Sequence, residues 1–187
     1  MNRKLKRIAD QLEKKAPKQE GFAKKMSEYG TQLLEKQKVK CIYGVYEKQF
    51  KRMFLIAARA EGNAGHNLLN LLERRLDNTV YRLKLATTRA QARQMVVHGH
   101  VLINGKKVYS PSCLVSVGDT VSMAAGVASK TQFLEQVVDK RLSIGIKVPE
   151  WLELDKKDRK GTVLRLPVRA DLQSSVEERL IVELYSK

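Results

Sequence analysis

Cys41 and Cys113 are the only thiols in this chain, and neither belongs to a CxxC pair. That excludes a disulfide framework and a thiolate zinc site, so both are read as reduced thiols in a reducing compartment. No run of about 18 apolar residues occurs, which leaves no helical membrane span. The first residues are basic but lack the apolar centre of a secretory signal. Residues that carry chemistry are equally sparse. His98 and His100 flank Gly99, yet no carboxylate or thiol lies beside them in sequence to orient them or to be activated. Two imidazoles fall short of a zinc set. There is no glycine-rich cofactor loop. No catalytic residue, metal or cofactor is therefore expected.

Acidic side chains are also in deficit: 20 Asp and Glu stand against 36 Lys and Arg, a net charge of +16. The deficit is uneven. Residues 1–60 hold 16 bases and 6 acids, residues 61–128 hold 8 and 4, and residues 129–187 hold 12 and 10. Such an excess calls for a polyanionic partner. With 43% hydrophobic residues over 187 positions, a real core can form, in one large or two small domains.

The most informative stretch is HNLLNLLERRLDNTVYRLKLATTRAQARQMVVHGHVLINGKKV, residues 66–108. Leu68, Leu72, Leu76, Val80 and Leu83 recur at the spacing of one helix face. Arg74, Arg75, Asn78 and Arg82 fall off that stripe. Thr88 reads as the N-cap of a second helix, with Gln91 at the capping-box position. Gly99 is placed to end that helix in a left-handed conformation. Asn104-Gly105 between short apolar runs predicts a hairpin. The unit carries eight Lys and Arg from Arg74 to Lys107, and Glu73 and Asp77 are its only acids. Further sheet is expected over 109–125, from Cys113-Leu114-Val115 and Val121–Met123 around a Gly118-Asp119 turn.

The flanks read differently. Residues 1–20 predict a basic arm or short amphipathic helix ending near Pro17. A helix is expected after Gly30 and another from about Tyr46 to Ala60. Tyr43, Tyr46, Phe50 and Phe54 recur at three- and four-residue steps, with Lys36, Lys38, Lys40, Lys48, Lys51 and Arg52 among them. Aromatics between bases stack on nucleobases in some proteins, although at helical spacing they more often form core. The bases are the stronger candidates for RNA, through phosphates. Downstream, residues 130–142 predict a helix, Trp151 and Leu152 anchor a loop, and 156–172 hold a short strand ended by Pro167. Lys156, Lys157, Arg159 and Lys160 read as a solvated loop, with RNA contact as the alternative. Ser175 is a candidate cap for the last helix. Its acids, Glu177, Glu178 and Glu183, suit packing on the N-terminal helices better than phosphate.

Four stretches resemble the bacterial-type small-subunit ribosomal protein of the S-four family: SEYGTQLLEKQKVKCIYGVYEKQF, GNAGHNLLNLLERRLDNTVYRL, TRAQARQMVVHGHVLINGKKV and the terminal LIVELYSK. The likeness is dense over residues 26–125 and returns in the last dozen. Residues 66–108 alone resemble the S-four RNA-binding domain, which unrelated proteins also carry; the flanks are particular to the ribosomal protein. Many members begin with a longer segment, sometimes with four zinc-binding cysteines. Here no cysteine precedes Cys41, and functions that depend on that extension are not expected.

The resemblance implies an α+β fold. A helical, basic N-terminal domain, residues 1–67 joined by 163–187, receives an inserted helix–helix–hairpin domain with a small antiparallel sheet over 68–162, its RNA-binding unit at about 74–140. It implies direct binding of small-subunit ribosomal RNA at a helical junction of the five-prime domain, nucleation of subunit assembly, and a part in translational accuracy. Neighbouring small-subunit ribosomal proteins and messenger RNA near its entrance to the ribosome are the further partners. The expected RNA-facing set in the internal unit is Arg74, Arg75, Arg82, Arg89, Arg93, Gln94, His98, His100, Lys106 and Lys107, joined by Lys36, Lys38, Lys40, Tyr43, Lys48, Lys51 and Arg52 from the N-terminal domain. Arg89 and Arg93 share a helix face. Lys24 and Lys25, ahead of SEYG, are the candidates for the messenger. The implied location is the cytoplasmic ribosome, with an organellar ribosome left open, although Asp10 and Glu13 count against a transit peptide.

Two other readings fit less of the chain. An RNA-modifying enzyme that uses the same domain as an accessory needs a catalytic domain, and neither flank is long enough to supply one. A DNA regulator of winged-helix type has no place for the N-terminal and C-terminal segments.

Overall fold

The computed structural model describes residues 27–124, 148–155, 158–171 and 176–186. The expected arm over 1–20, Lys24 and Lys25, the helix over 130–142, Lys156, Lys157 and the Ser175 cap lie outside them. The chain divides into two compact units, one from Met1–Arg52 with Ser175–Lys187, the other from Met53–Ser174.

In the first unit, helix α1 spans Glu28–Tyr43. It starts ahead of Gly30 because Ser27 caps it: the Ser27 hydroxyl accepts from the Gly30 amide at 3.2 Å, satisfying a donor of the first turn. Gly44, with φ +63°, ends it in the left-handed region. Helix α2, Glu47–Arg59, begins in this unit and crosses the division between the two. The last helix, which we number α6 (Glu178–Ser186), packs on α1. Ile181 is fully buried. Gln32 Nε2 donates to Glu183 Oε2 at 3.2 Å, and the rings of Phe50 and Tyr185 stack with centroids 6.4 Å apart. The expected aromatic face is therefore broken: Tyr43 and Phe50 are core, whereas Tyr46 faces solvent.

The second unit holds α3 (Ala64–Glu73), α4 (Leu76–Arg82), α5 (Arg89–Val97) and a five-stranded sheet. The strands are β1 (Val101–Ile103), β2 (Lys106–Lys107), β3 (Thr120–Met123), β4 (Leu152–Asp155) and β5 (Lys160–Val163), in the antiparallel order β2-β1-β3-β5-β4. The stripe from Leu68 to Leu83 is indeed buried at all five positions, but two helices carry it, not one. The break falls at Arg75, which is extended at φ −62° and ψ 136°. Here the segment after the hairpin takes over the capping. Leu76 N donates to Cys113 O at 2.8 Å, Asp77 N to Pro111 O at 3.2 Å, and Val115 N to Arg74 O at 2.9 Å. Backbone carbonyls thereby satisfy the amides of Leu76 and Asp77, and the Asp77 carboxylate accepts from the next, Asn78 N, at 2.9 Å. For the same reason Cys113–Val115 contributes one isolated bridge, Arg75 to Leu114, in place of the expected strand.

The remaining local signals hold with one shift. Thr88 Oγ1 accepts from Gln91 N at 3.1 Å. The reciprocal half of the box moves back one residue: Gln91 Oε1 accepts from both N and Oγ1 of Thr87, each at 2.7 Å. Gly99 sits at φ +68°, and the Asn104-Gly105 turn has φ +50° and +78°, the two-residue hairpin geometry. Asn104 also fastens the hairpin to β3, with Oδ1 accepting from Thr120 N at 2.9 Å and Nδ2 donating to Asp119 Oδ1 at 2.8 Å. Trp151 is fully buried in the core that joins Leu76, Val80 and Leu83 to Met95, Val96, Val101, Val121 and Val163. The chain then continues as edge strand β4 where a loop was expected. Gly161 is required where β5 crosses α4, since a β-carbon there would stand 2.3 Å from a Leu83 methyl.

Candidate nucleic-acid interface

The arginines expected to face RNA are built on a buried acid–amide cluster where α3, α4 and α5 meet. Glu73 and Asp77 are almost fully buried, and an uncompensated charge there would cost several kcal/mol. Each is met by guanidinium. Arg82 clasps Glu73 with both arms, Nε to Oε2 at 3.0 Å and Nη2 to Oε1 at 2.6 Å. Asn78 Nδ2 donates to Glu73 Oε2 at 2.6 Å, and its Oδ1 accepts from Arg89 Nε at 2.8 Å. Asp77 takes Arg75 as a fork, at 3.2 and 2.9 Å, and Arg93 Nη1 on the outer side at 3.3 Å. The Arg89 guanidinium also lies over the Tyr81 ring, 4.5 Å from its centroid. Three guanidiniums meet the two carboxylates and a fourth, Arg89, joins through Asn78, so four positive charges stand against two negative ones in the cluster.

The four arginines do not do the same thing. Arg75 is 1% exposed, so its charge neutralises Asp77 inside the protein and does not face RNA. The reading of Arg75 as an RNA contact is corrected on that ground. Arg82 is half-buried, and the Arg93 side chain is 43% exposed. Arg89 and Arg93 do share one face, the face turned back onto α4, where they are tethered to Asn78 and Asp77. Their loss therefore also disturbs the fold, contrary to the view of them as detached surface charges. Arg74 is held by Nε donating to Val115 O at 3.0 Å. Gln94 and His98 are exposed on the last turn of α5, and the His98 and His100 rings stack with centroids 5.8 Å apart. Lys106 and Lys107 are exposed on the hairpin.

The first unit uses its bases otherwise. Lys36 and Lys40 both donate to Glu47, at 2.8 and 2.5 Å, and the Tyr185 hydroxyl donates to the same carboxylate at 3.0 Å. Burial works to raise the Glu47 carboxyl, but the hydrogen bonds from Lys36, Lys40 and Tyr185 outweigh it and hold the group at about 2, against an ordinary 4.5. Burial, and then the bond to Glu47, push Tyr185 up. Lys38 pairs with Glu35 at 3.1 Å. Lys36 and Tyr43 are buried, so their reading as RNA contacts is also corrected: one completes an internal ion pair and the other is core. Lys48, Lys51 and Arg52 are exposed on α2. Lys24 and Lys25 lie outside the described residues.

Glu73, Asp77 and Asn78 are the residues missed by reading the sequence as a string of bases. Their one signal in the sequence is that Glu73 and Asp77 are the only acids of an arginine-rich segment; the contacts that reveal their role, Glu73 with Asn78 and Arg82, span the break at Arg75. Among the described residues no group of three or more His, Cys, Asp or Glu is placed to hold a metal, and no helix is long and apolar enough to cross a membrane.

Comparison with known proteins gives two family matches. Residues 74–121 match the S4 domain, and residues 1–73 match the ribosomal protein S4/S9 N-terminal domain. Among similar curated proteins is the small ribosomal subunit protein uS4 of Chloroflexus aurantiacus, 48% identical over 174 residues that cover 91% of this chain and 84% of that protein. The protein of the same name from Caldicellulosiruptor saccharolyticus is 52% identical over 166 residues, covering 88% and 77%. That of Geotalea daltonii is 54% identical over 166 residues, covering 87% and 77%.

Proposed function

The chain belongs to the uS4 family of small ribosomal subunit proteins, and on that premise we propose that the tethered arginines of α4 and α5 are its grip on ribosomal RNA. Binding of ribosomal RNA and a structural, non-enzymatic place in the ribosome, beside other ribosomal proteins, follow from the family. The observation that carries the finer reading is Arg93, fixed on Asp77 through one N–H at 3.3 Å while its side chain stays 43% exposed. A guanidinium held this way meets phosphate oxygens as a pre-oriented fork and gives up little side-chain freedom on binding. Arg82, Arg89, Gln94, His98 and His100 extend the same surface, and Lys106 and Lys107 add phosphate contacts from the hairpin. Lys48, Lys51 and Arg52 form the contribution of α2.

The RNA recognised is a helical junction in the five-prime domain, read through backbone and 2′-hydroxyls more than through base sequence. Binding there nucleates assembly of the small subunit in the cytoplasm. The segment with Lys24 and Lys25 reaches messenger RNA near its entrance and bears on accuracy. In this reading the segments 1–67 and 163–187 form one domain and 68–162 the insertion. Support comes from the residues that resemble the family and from α6 packing on α1.

The test is titration of the full chain with a junction-containing fragment of small-subunit ribosomal RNA across a salt series. Affinity falls steeply with salt if phosphate contacts dominate. A flat salt response would sink the reading, as would equal affinity for a plain RNA duplex without the junction.

A further inference from the structure

We propose that the Tyr109 ring is a stacking platform for an unpaired base of the RNA this unit binds; the proposal rests on the RNA-binding reading above. Tyr109 is 60% exposed, a large aromatic left in water beside a well-filled core. It is not a loose side chain. A β-carbon at Gly99 would lie 2.5 Å from Tyr109 Cε1, so the ring is seated directly on the backbone of the left-handed turn that ends α5. One side of the ring is thus fixed by the fold while most of it faces solvent. A ring fixed in this way loses little freedom when a base stacks on it.

Its surroundings match the partner. Val108 N donates to Val101 O at 3.3 Å, which prolongs the β1–β2 pairing beyond Leu102 opposite Lys107. Strand alternation then sets Tyr109 opposite His100 and on the same face as Lys107, away from the face of Val101 and Val121 that enters the core. His98 stacks on His100. The result is a strip of flat rings next to a cation. Aromatic rings between basic side chains are the composition that binds single-stranded nucleic acid, with bases on the rings and phosphates on the cations. An apolar protein partner would instead favour a patch without Lys107 and the two imidazoles. Recognition of RNA also concentrates on bases splayed out at loops and junctions, where such a platform is of use.

Tyr109→Leu, Tyr109→Phe and Tyr109→Trp in the full chain separate the outcomes. Binding to the junction-containing ribosomal RNA fragment should fall about 10-fold for Tyr109→Leu, as expected for one stacked base. The loss should be the same at every salt concentration, because no charge is removed. Tyr109→Phe and Tyr109→Trp keep a ring and should bind as the parent does, and all melting temperatures should agree because the site is exposed. The proposal is overturned if Tyr109→Leu binds normally, if Tyr109→Trp loses as much as Tyr109→Leu, or if the loss changes the salt slope. Normal RNA binding by Tyr109→Leu with poor retention in assembled subunits would assign the ring to a protein neighbour. Failure of the parent chain to bind the RNA would instead overturn the RNA-binding reading itself.

Discussion

The lysines on Glu47 and the arginines on Glu73 and Asp77 start from the same composition and reach different ends. In the first unit two ammonium groups and a tyrosine hydroxyl converge on one carboxylate. The lysines spend their remaining capacity inside the unit too: Lys40 also donates to Gln37 Oε1 at 3.4 Å, and the Lys36 ammonium lies 5.6 Å from the centroid of the Tyr185 ring. In the second unit the cations are guanidiniums, planar forks with five donors each. Arg93 gives one N–H to Asp77 and remains 43% exposed. Arg89 gives Nε to Asn78 and rests on Tyr81. The buried acids of the second unit therefore hold a cation, Arg93, that stays 43% exposed, whereas the acid of the first unit holds Lys36 at 11%. A count of bases per segment ranks the first unit as the more RNA-seeking part. The geometry reverses that ranking for the bases on α1.

Removing one of the buried acids should have the largest effect. Asp77→Ala leaves Arg75 buried and unpaired, and loses the tether of Arg93. Destabilisation on the order of 3–5 kcal/mol is expected, the range for breaking a buried pair from one side. Urea unfolding followed by Trp151 fluorescence reads it, because that buried indole reports on this core alone. A loss below about 1 kcal/mol would mean that Arg75 finds water, and that the cluster does not position anything.

The next effect lies in binding. Arg93→Gln should weaken ribosomal RNA by roughly 1–2 kcal/mol and lower the salt slope by about one, with a smaller loss of stability from the Asp77 contact. Lys36→Gln should leave RNA affinity unchanged and cost stability instead, since its charge faces Glu47 inside the unit. Equal loss of affinity in the two variants would erase the distinction between the units.

This contrast was only partly legible in the residues. Helix and hairpin signals that depend on neighbours in sequence were readable: the Thr88 cap, the Gly99 stop and the Asn104-Gly105 turn are all in place. The apolar stripe from Leu68 to Leu83 marked the core correctly. Its break at Arg75 was not visible, because the cause is a segment nearly forty residues away, Pro111 to Val115, whose carbonyls accept from the first amides of α4. The same limit explains the site. Reading Lys36, Tyr43 and Arg75 as RNA contacts follows from residue type, and what overrides it is burial against Glu47, the first core and Asp77. The likeness of the chain to its family located the RNA-binding unit, but only side-chain geometry separated arginines that face out from one that faces in.

The smallest effect is a matter of pH and belongs to the first unit. The Glu47 carboxyl is held at about 2 in the folded chain, where 4.5 is ordinary, so between those values the unfolded chain binds the extra proton. Stability from this group is therefore fully present above about pH 4.5 and is lost as pH falls towards 2. Because the Glu47 side chain is 48% exposed, solvent screening reduces the contribution to about 1 kcal/mol. Glu47→Gln removes the titration while keeping the shape. The stability difference between the parent and Glu47→Gln should accordingly be constant near neutrality, shrink from pH 4.5 downward and vanish near pH 2. The second unit is identical in the two proteins, so any acid unfolding there cancels in the difference. A difference that stayed constant to pH 2 would show that Lys36, Lys40 and Tyr185 do not hold the carboxylate in solution, and the first unit's cations would then be as available to RNA as those of the second.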